Sequence, residues 1–493
     1  MTALLVIDVG TTGLRAAVVD ETLRIIAREY HPNPPSNPAD GLVEFDPTRT
    51  AELSLAAAHT VIDRAGLPID AVGITNQRAS TVLWDRRTGQ VVGTGLGWQD
   101  LRTVGECIMA KAEHGWSIAP NQSVTKLAWL LANGGIDADV DIAADLAFGT
   151  IDSWIAWNLS NGAVHVSDQT NASATTTGLR TVDGSAWNET VCAAFGIPLS
   201  ILPTVVDSAE VSGRATALPG APPIAALIGD QQASLIGQGC IRPGRAKITF
   251  GTGGMLDLCT DGGPPAGAAR NFGGTYPLPL WSHGGRLAWG VEGIMLSAGT
   301  NIEWLRDDLG IIATSEESHD VAAGCVDSGG VVYVPALLGL GTPAWDYGAR
   351  GTLLGLTRGS ERAHVVRAVL EGVAHRGVDL LEAAVGDTDT SISAVRIDGG
   401  MSTNPTFVQA LANASGRSIE VAPDPESTTI GAAFMAGLGI GLWSTIDDVD
   451  ALWRPAGTVE PDVGFDREGA RSTWAAALER AAGWIPELSA LDF

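Results

Sequence analysis

Two short apolar runs in this chain each enter a turn rich in glycine and threonine, and each turn is followed by a second apolar run. The first turn reads Asp-Val-Gly-Thr-Thr-Gly at residues 8–13, between runs at residues 3–7 and 14–19. The second reads Thr-Phe-Gly-Thr-Gly-Gly at residues 249–254, between runs at residues 246–250 and 255–259. Apolar runs on either side of a tight turn predict β-hairpins. The chain therefore contains the same predicted hairpin twice.

The first hairpin is followed by the pattern of a mixed α/β unit. A third strand is predicted at residues 24–30, a helix from Asp46 and Pro47 to about Gly66, and a strand at residues 71–75. Asp46 suits the N-cap and Pro47 the first helical position. In a Rossmann unit the phosphate-binding turn leads directly into a helix, whereas here it leads into a strand. The order of elements therefore predicts a mixed sheet.

The second half of the chain repeats this order. A long helix is predicted at residues 363–384, a strand at residues 395–398 and a helix at residues 405–415. Further helices are expected at residues 430–443, in the core, and at residues 472–482. Because 493 residues exceed the size of a single hydrophobic core, we expect two α/β domains. The predicted boundary follows the helix that begins at Asp230, which gives domains at residues 1–239 and 240–493.

Composition and charge restrict the partners of the chain. Hydrophobic residues make up 45% of it, which is typical of a folded globular protein. The net charge of −26 and the lack of a basic run argue against binding of nucleic acid. The longest apolar run, at residues 430–443, is too short to span a membrane. Five widely spaced cysteines and an N-terminal segment without a basic region lead us to expect a soluble, cytoplasmic protein.

The two turns have the chemistry of phosphate-binding sites. Glycine lacks a Cβ, so backbone N–H groups can approach phosphate oxygens, and threonine hydroxyls add further donors. Asp8, at the start of the first turn, could orient a hydrated Mg²⁺ ion. Two such turns on opposite sides of one cleft would hold a nucleotide between them.

Several longer blocks carry a specific resemblance. In order, they are Gly-Ile-Thr-Asn-Gln-Arg at residues 73–78, Gly-Asp-Gln-Gln at 229–232, Ile-Glu-Trp-Leu-Arg-Asp at 302–307, Gly-Thr-Leu-Leu-Gly-Leu-Thr-Arg-Gly at 351–359, Asp-Gly-Gly at 398–400 and Gly-Ala-Ala at 431–433. Together with the two turns, they make the chain resemble the FGGY carbohydrate kinases, nearest the glycerol kinase branch, over nearly its whole length. The resemblance implies two actin-like, ribonuclease-H-like α/β domains that close over ATP and a small hydroxylated substrate.

The resemblance also implies roles for the matching residues. Asp8 would order the Mg²⁺ shell, and Asp230 would accept the proton of the attacking hydroxyl. Only one carboxylate has to act as a base, because phosphoryl transfer mainly requires positioning and neutralisation of charge. Glu303 stands where glycerol kinases usually have Gln. The residues placed at the nucleotide are Thr11, Thr12, Gly13 and Arg15 at the terminal phosphates, Thr252, Gly299 and Glu303 nearby, and Gly400 and Asn404 at the adenosine.

The expected polyol pocket retains some family residues and lacks others. Those retained are Arg78, Trp98, Asp230 and Gln231. Taken alone, Asp230 would suit a helix N-cap, Arg78 a surface ion pair and Trp98 the core. Where glycerol kinases carry Glu, Tyr and Phe, this chain has Ala79, Asn121 and Met255.

The loss of a carboxylate and a phenol bears on the substrate. Each would have bonded a glycerol hydroxyl, and a hydrogen bond to a charged group is worth roughly 1.5–3 kcal/mol. We therefore expect an ATP-dependent kinase that phosphorylates a terminal hydroxyl of a small polyol or sugar alcohol longer than glycerol. Glycerol itself, a pentulose as in xylulokinases, and a non-catalytic nucleotide-binding regulator stay open as alternatives. A homodimer is also compatible with the sequence.

Overall fold

The computed structural model describes residues 2–260, 262–263 and 270–490. Strands and helices alternate along both halves of this part of the chain. The strands are β1 (Ala3–Val9), β2 (Gly13–Asp20), β3 (Ile25–Pro32), β4 (Glu44–Phe45), β5 (Ala71–Asn76), β6 (Val82–Asp85), β7 (Gly95–Leu96), β8 (Leu146–Gly149), β9 (Val166–Asp168), β10 (Thr204–Val206), β11 (Ala209–Arg214), β12 (Pro223–Gly229), β13 (Arg245–Phe250), β14 (Gly254–Cys259), β15 (Tyr276–His283), β16 (Arg286–Met295), β17 (Val332–Val334), β18 (Thr352–Leu354), β19 (Ala394–Asp398), β20 (Ile419–Val421) and β21 (Gly457–Val459).

Helices cover the sheets and fill the connections between strands. They are α1 (Pro47–Ala65), α2 (Val104–His114), α3 (Ser123–Asn133), α4 (Ile142–Asp145), α5 (Ile151–Leu159), α6 (Gln169–Ala172), α7 (Ala174–Thr177), α8 (Glu189–Ala194), α9 (Asp230–Gly237), α10 (Thr300–Glu303), α11 (Glu317–Ala322), α12 (Arg362–Thr388), α13 (Pro405–Ser415), α14 (Ser427–Gly439), α15 (Asp448–Leu452), α16 (Arg467–Ala481) and α17 (Pro486–Ser489).

Two large mixed sheets repeat one arrangement, as the sequence predicts. In the first, strands follow the order β11-β12-β5-β1-β2-β3, and in the second the order β15-β16-β14-β13-β19-β20-β21. Strand β1 pairs antiparallel with β2 and parallel with β5, while β13 pairs antiparallel with β14 and parallel with β19. Each glycine- and threonine-rich turn therefore lies at the carboxyl end of the middle strand of its sheet.

The predicted helices are present, with three differences in their ends. Helix α1 begins after the N-cap Asp46 and ends before Gly66, as predicted. Helix α12 begins with a capping box at Glu361. It extends beyond its expected end to Thr388, because the residue that terminates it is Asp389, in a left-handed conformation. Helix α14 begins earlier than expected and stops at Gly439, and α16 begins earlier, at Arg467, after the N-cap Asp466.

Helix α14 joins the two halves of the chain. Although it follows the second sheet in sequence, it packs on α9 and on strands β5, β12 and β1 of the first sheet. A Cβ at Gly431 would clash with the carbonyl oxygen of Ala233, and one at Gly237 would clash with that of Ser427. Glycine is thus required at both positions for the two helices to touch. The domain boundary at Gly239 stays a prediction, because the C-terminal half supplies a helix to the first sheet.

Two further expectations concern cysteines and membranes. All five cysteines lie in the described part of the chain, and none of them forms a disulfide. Among the described helices, none is both long enough and apolar enough to cross a bilayer.

We predict that Gly431→Ala destabilises the protein by about 1–3 kcal/mol, because the added methyl group pushes α14 away from α9. Activity should fall as well, since α9 carries Asp230. The matched control is Gly386→Ala in α12, where a Cβ would meet nothing within 4 Å; it should stabilise by about 0.5–1 kcal/mol. Urea unfolding of both variants measures the difference. Equal effects of the two changes would show that the α9–α14 contact is not tightly packed.

Candidate active site

A cavity of about 290 Å³ lies between the two halves, and both glycine- and threonine-rich turns reach it. Thr11 of the first turn lines the cavity. Gly251, Thr252 and Gly253 of the second turn line it as well. The expectation that the two turns share one cleft is thus met. The other predicted site residues in the wall are Arg78, Ala79, Trp98, Asn121, Asp230, Gln231 and Met255.

Asp230 is the first residue of α9, directly after the end of strand β12. Its Oδ1 accepts a hydrogen bond of 2.8 Å from the backbone N–H of Gln231, and the Nε of Arg78 lies 3.9 Å away. The N-cap position belongs to Gly229, so Asp230 is not the N-cap residue. Burial raises the pKa of Asp230, and the charge of Arg78 opposes that rise. An aspartate in the cavity wall with a raised pKa has the properties of a general base.

Arg78 bridges the two halves of the chain through a buried ion pair. Its Nη2 donates to Oε2 of Glu292 on β16 at 2.5 Å. Burial raises the pKa of Glu292 to about 6, with Arg78 as the main opposing charge. Directly opposite Glu292 on the neighbouring strand is Tyr276, which also lines the cavity. The structure therefore supplies a carboxylate and a phenol that the sequence analysis did not identify.

Ala79 follows Arg78 in a left-handed backbone conformation, with φ of 65°. A non-glycine residue rarely adopts this conformation, and surrounding contacts must hold it there. Two hydroxyls do so, because Ser123 and Thr81 both donate to the carbonyl oxygen of Ala79, at 2.9 and 3.1 Å. The small, buried side chain leaves room in the cavity wall.

Trp98 connects the polyol side of the cavity with the first turn. Its indole Nε1 donates to Oγ1 of Thr11 at 3.2 Å. The buried ammonium of Lys126 donates to the backbone carbonyls of Trp98 and Asn121, at 3.1 Å in each case. Lys126 therefore holds together two segments of the wall that are distant in sequence.

Asp8 lies at the end of β1, opposite Arg15 on β2. Burial raises the pKa of Asp8 to about 7, with Arg15 opposing and Asp230 adding to the rise. Arg15 lies 3.8 Å from Asp8 and forms a closer ion pair with Glu426, just before α14. A buried carboxylate near other acids fits a divalent cation, which would stabilise its charged form. A Mg²⁺ ion commonly takes one or two carboxylates, with waters and phosphates completing its shell.

Gly299 packs so closely against the second turn that a side chain would not fit there. Its N–H donates to the carbonyl oxygen of Gly251 at 2.8 Å, and a Cβ there would lie 2.7 Å from the same oxygen. The backbone of Thr252 is held in the same way by Ala298. In the first turn, a Cβ at Gly13 would clash with the Tyr30 hydroxyl. Thr12 lies exposed in that turn.

Among the residues expected at the nucleotide, Thr11 and Thr252 line the cavity, and seven lie outside its wall: Thr12, Gly13, Arg15, Gly299, Glu303, Gly400 and Asn404. Glu303 and Gly400 are exposed. Asn404 is the N-cap of α13, where its Oδ1 accepts from the N–H of Phe407 and its Nδ2 donates to Ser318. Contact of Gly400 and Asn404 with adenosine, and of the other residues with the rest of the nucleotide, stays a prediction.

Comparison with known proteins establishes the family. The model described as "FGGY family of carbohydrate kinases, N-terminal domain" matches residues 3–237, and the model of the C-terminal domain matches residues 246–440. The chain belongs to the FGGY family of carbohydrate kinases. It is therefore a kinase that phosphorylates an alcohol group, and the family resemblance in its sequence is confirmed.

The chain is similar to glycerol kinases, and the similarity covers nearly the whole length of both proteins. The glycerol kinase of Aromatoleum aromaticum is 40% identical, over 98% of this chain and 100% of that protein. That of Trichlorobacter lovleyi is 41% identical, over 98% and 99%. The crystal structure of Plasmodium falciparum glycerol kinase with ADP has a TM-score of 0.89 and 28% identity, covering 98% of both chains. These similarities confirm the predicted two-domain, actin-like fold.

We predict that kcat/KM for the polyol falls at low pH, with a midpoint above the ordinary pKa range of an aspartate. Asp230 must be ionised to accept a proton, and both Asp230 and Glu292 have raised pKa values, that of Glu292 being about 6. Glu292→Gln removes one titrating group and frees Arg78 to stabilise ionised Asp230. The midpoint of the fall should therefore move to lower pH by about half a unit or more.

The measurement is the pH profile of kcat/KM at saturating ATP. Glu52→Gln, an exposed change on α1, is the matched control and should leave the profile unchanged. A profile that is the same in Glu292→Gln and the parent would contradict a role for Glu292 in the ionisation of the site.

Proposed function

We propose that this kinase transfers the γ-phosphoryl group of ATP to a terminal hydroxyl of a small polyol, with Asp230 as the general base. The observation that carries the proposal is the position of the Asp230 carboxylate. It lies in the wall of a cavity that also contains both phosphate-binding turns and the donors Arg78 and Gln231. A hydroxyl bound beside Asp230 could lose its proton to that carboxylate while it attacks the phosphoryl group.

The nucleotide and metal belong to the same proposal. Thr11 and Thr252 stand on opposite sides of the cavity, where their turns can offer backbone N–H groups and hydroxyls to the phosphates. Asp8, with Arg15 nearby, would hold a Mg²⁺ ion through its water shell. The ion would neutralise charge on the transferred phosphoryl group. A cytoplasmic location and a homodimer stay predictions.

The length of the polyol is the finer part of the proposal. Identity of about 40% to glycerol kinases favours glycerol, and Glu292 with Tyr276 can replace the carboxylate and phenol absent at positions 79 and 121. In favour of a longer polyol, Ala79 leaves space in a cavity of about 290 Å³. We therefore propose that four- and five-carbon polyols are accepted besides glycerol.

The first experiment is ATP consumption with glycerol, erythritol, xylitol and xylulose, in the parent and in Asp230→Asn. We expect turnover with at least one polyol and a decrease in kcat of about two to four decades in the variant. ATP affinity should change less than about twofold. The matched control is Asp63→Asn, an exposed change on α1. Near-normal turnover of Asp230→Asn would remove this residue from the mechanism, and ATP binding without turnover would favour the non-catalytic alternative.

The second experiment tests the origin of specificity. The double change Ala79→Glu and Asn121→Tyr should raise the ratio of kcat/KM for glycerol over erythritol by roughly tenfold, because it restores two polar contacts and fills space. The single variant Ala79→Leu is the control, since it fills space without a polar group. If the ratio stays constant in a folded double variant, positions 79 and 121 do not determine the length of the substrate.

A further inference from the structure

A row of polar side chains crosses the second sheet behind the cavity. Lys247 on β13 lies opposite Asp257 on β14, Asp257 lies opposite Glu292 on β16, and Glu292 lies opposite Tyr276 on β15. Residues directly opposite each other on neighbouring strands point to the same face of a sheet. Glu292 and Tyr276 line the cavity, while Lys247 and Asp257 are completely buried.

The ammonium of Lys247 is surrounded by three partners. Its Nζ donates to Oε1 of Gln231 at 2.7 Å and to Oγ1 of Thr249 at 3.0 Å, and it pairs with Oδ2 of Asp257 at 2.9 Å. Gln231 and Thr249 take two of the three donors of the ammonium, Asp257 neutralises its charge, and the side chain is completely buried. Lys247 is therefore not available to bind the substrate itself. It reaches the cavity through Gln231 and Thr249, which both line the wall.

We propose that Lys247 is a positioning residue that fixes which end of the Gln231 amide faces the substrate. Because the ammonium can only donate, the oxygen of the amide must face Lys247. The NH₂ group is then left for the cavity. Gln231 thus acts as a donor, and the polyol hydroxyl beside it must accept a hydrogen bond. This inference rests on the proposed function, in which the cavity binds the polyol.

Asp257 makes this arrangement stable. A lone buried ammonium would be costly, and the carboxylate of Asp257 provides the opposite charge in the next strand. Glu292 is paired with Arg78 in the same way, so both cations of the cluster hold wall groups of the cavity. A hydroxyl that accepts from Gln231 keeps its own proton free to donate to a carboxylate such as Asp230. The donors and acceptors of the wall are therefore assigned before the substrate binds.

The decisive variant is Gln231→Glu, compared with Gln231→Leu. A glutamate keeps the bond to Lys247 and has nearly the same shape, but it offers the cavity an acceptor in place of the NH₂ donor. We expect kcat/KM for glycerol and erythritol to fall about tenfold or more in both variants, mainly through KM for the polyol, while KM for ATP stays within about twofold. If Gln231→Glu keeps half of the parent's kcat/KM or more, the amide does not act as a donor and the inference is wrong.

A second set of variants tests whether Lys247 acts through Gln231. Lys247→Met with Asp257→Val removes both charges together, which avoids leaving one of them buried and unpaired. If the amide then turns freely, KM for the polyol rises about threefold to tenfold. Adding Gln231→Leu to this pair should cause little further loss, because coupled residues are not additive. If the fold-losses in kcat/KM from Gln231→Leu and from the charge-removed pair multiply in the combined variant, the two act independently and the inference is wrong.

The same set of variants gives a readout that needs no substrate. Urea unfolding of the parent, Gln231→Leu, the charge-removed pair and the combined variant measures the coupling between Gln231 and Lys247 directly. If unfolding shows coupling between Gln231 and Lys247 but no polyol is turned over, the contact is supported and the proposed function is wrong. Turnover without coupling, in unfolding and in kcat/KM, would leave the proposed function and overturn the inference.

Discussion

The cleft depends on the pairing of buried charges across the boundary between the two sheets. Arg78, from the loop after β5, reaches Glu292 on β16, and Lys247 on β13 reaches both Asp257 and the cavity residue Gln231. Removal of one partner from such a pair would leave an isolated charge in a low-dielectric interior, which costs several kcal/mol. The pairs therefore restrict the relative position of the two walls as well as the side chains in them.

The same cluster explains how an acidic protein could handle a polyanionic nucleotide. Asp230, Asp257 and Glu292 lie around Arg78 and Lys247, and Arg270 is a further cation in the cavity wall. Asp8 adds a further carboxylate nearby, with a pKa raised to about 7. Phosphates would be repelled unless donors without formal charge and a metal ion offset these acids. The two glycine- and threonine-rich turns supply such donors at the point where the acids converge.

Local signals in the sequence were enough to predict the frame of the molecule and part of the site. Asp46 with Pro47 and the hairpin pattern depend on neighbours in sequence, and the structure confirms the elements they predicted. Glu292 and Tyr276 were not predicted, because their place in the cavity depends on the pairing of β16 with β14, a strand that is not its neighbour in sequence. Lys247 and Asp257 did carry a signal: each is a charged residue with an apolar residue on either side in its strand, which implies a buried partner.

The repeated hairpins show how one arrangement serves two purposes. Asp8 pairs with Thr75 on the parallel strand of the first sheet, and Thr249 pairs with Asp398 at the equivalent place in the second. The carboxylate therefore lies on β1 in the first sheet, but on β19, the parallel neighbour of the equivalent strand β13, in the second. Asp398 accepts a hydrogen bond of 3.0 Å from Ser234 and so helps to hold α9, the helix that begins with Asp230. Asp8 faces Arg15 instead. Under the proposed function the two copies would divide the work, with Asp398 helping to position α9 and Asp8 serving the metal ion.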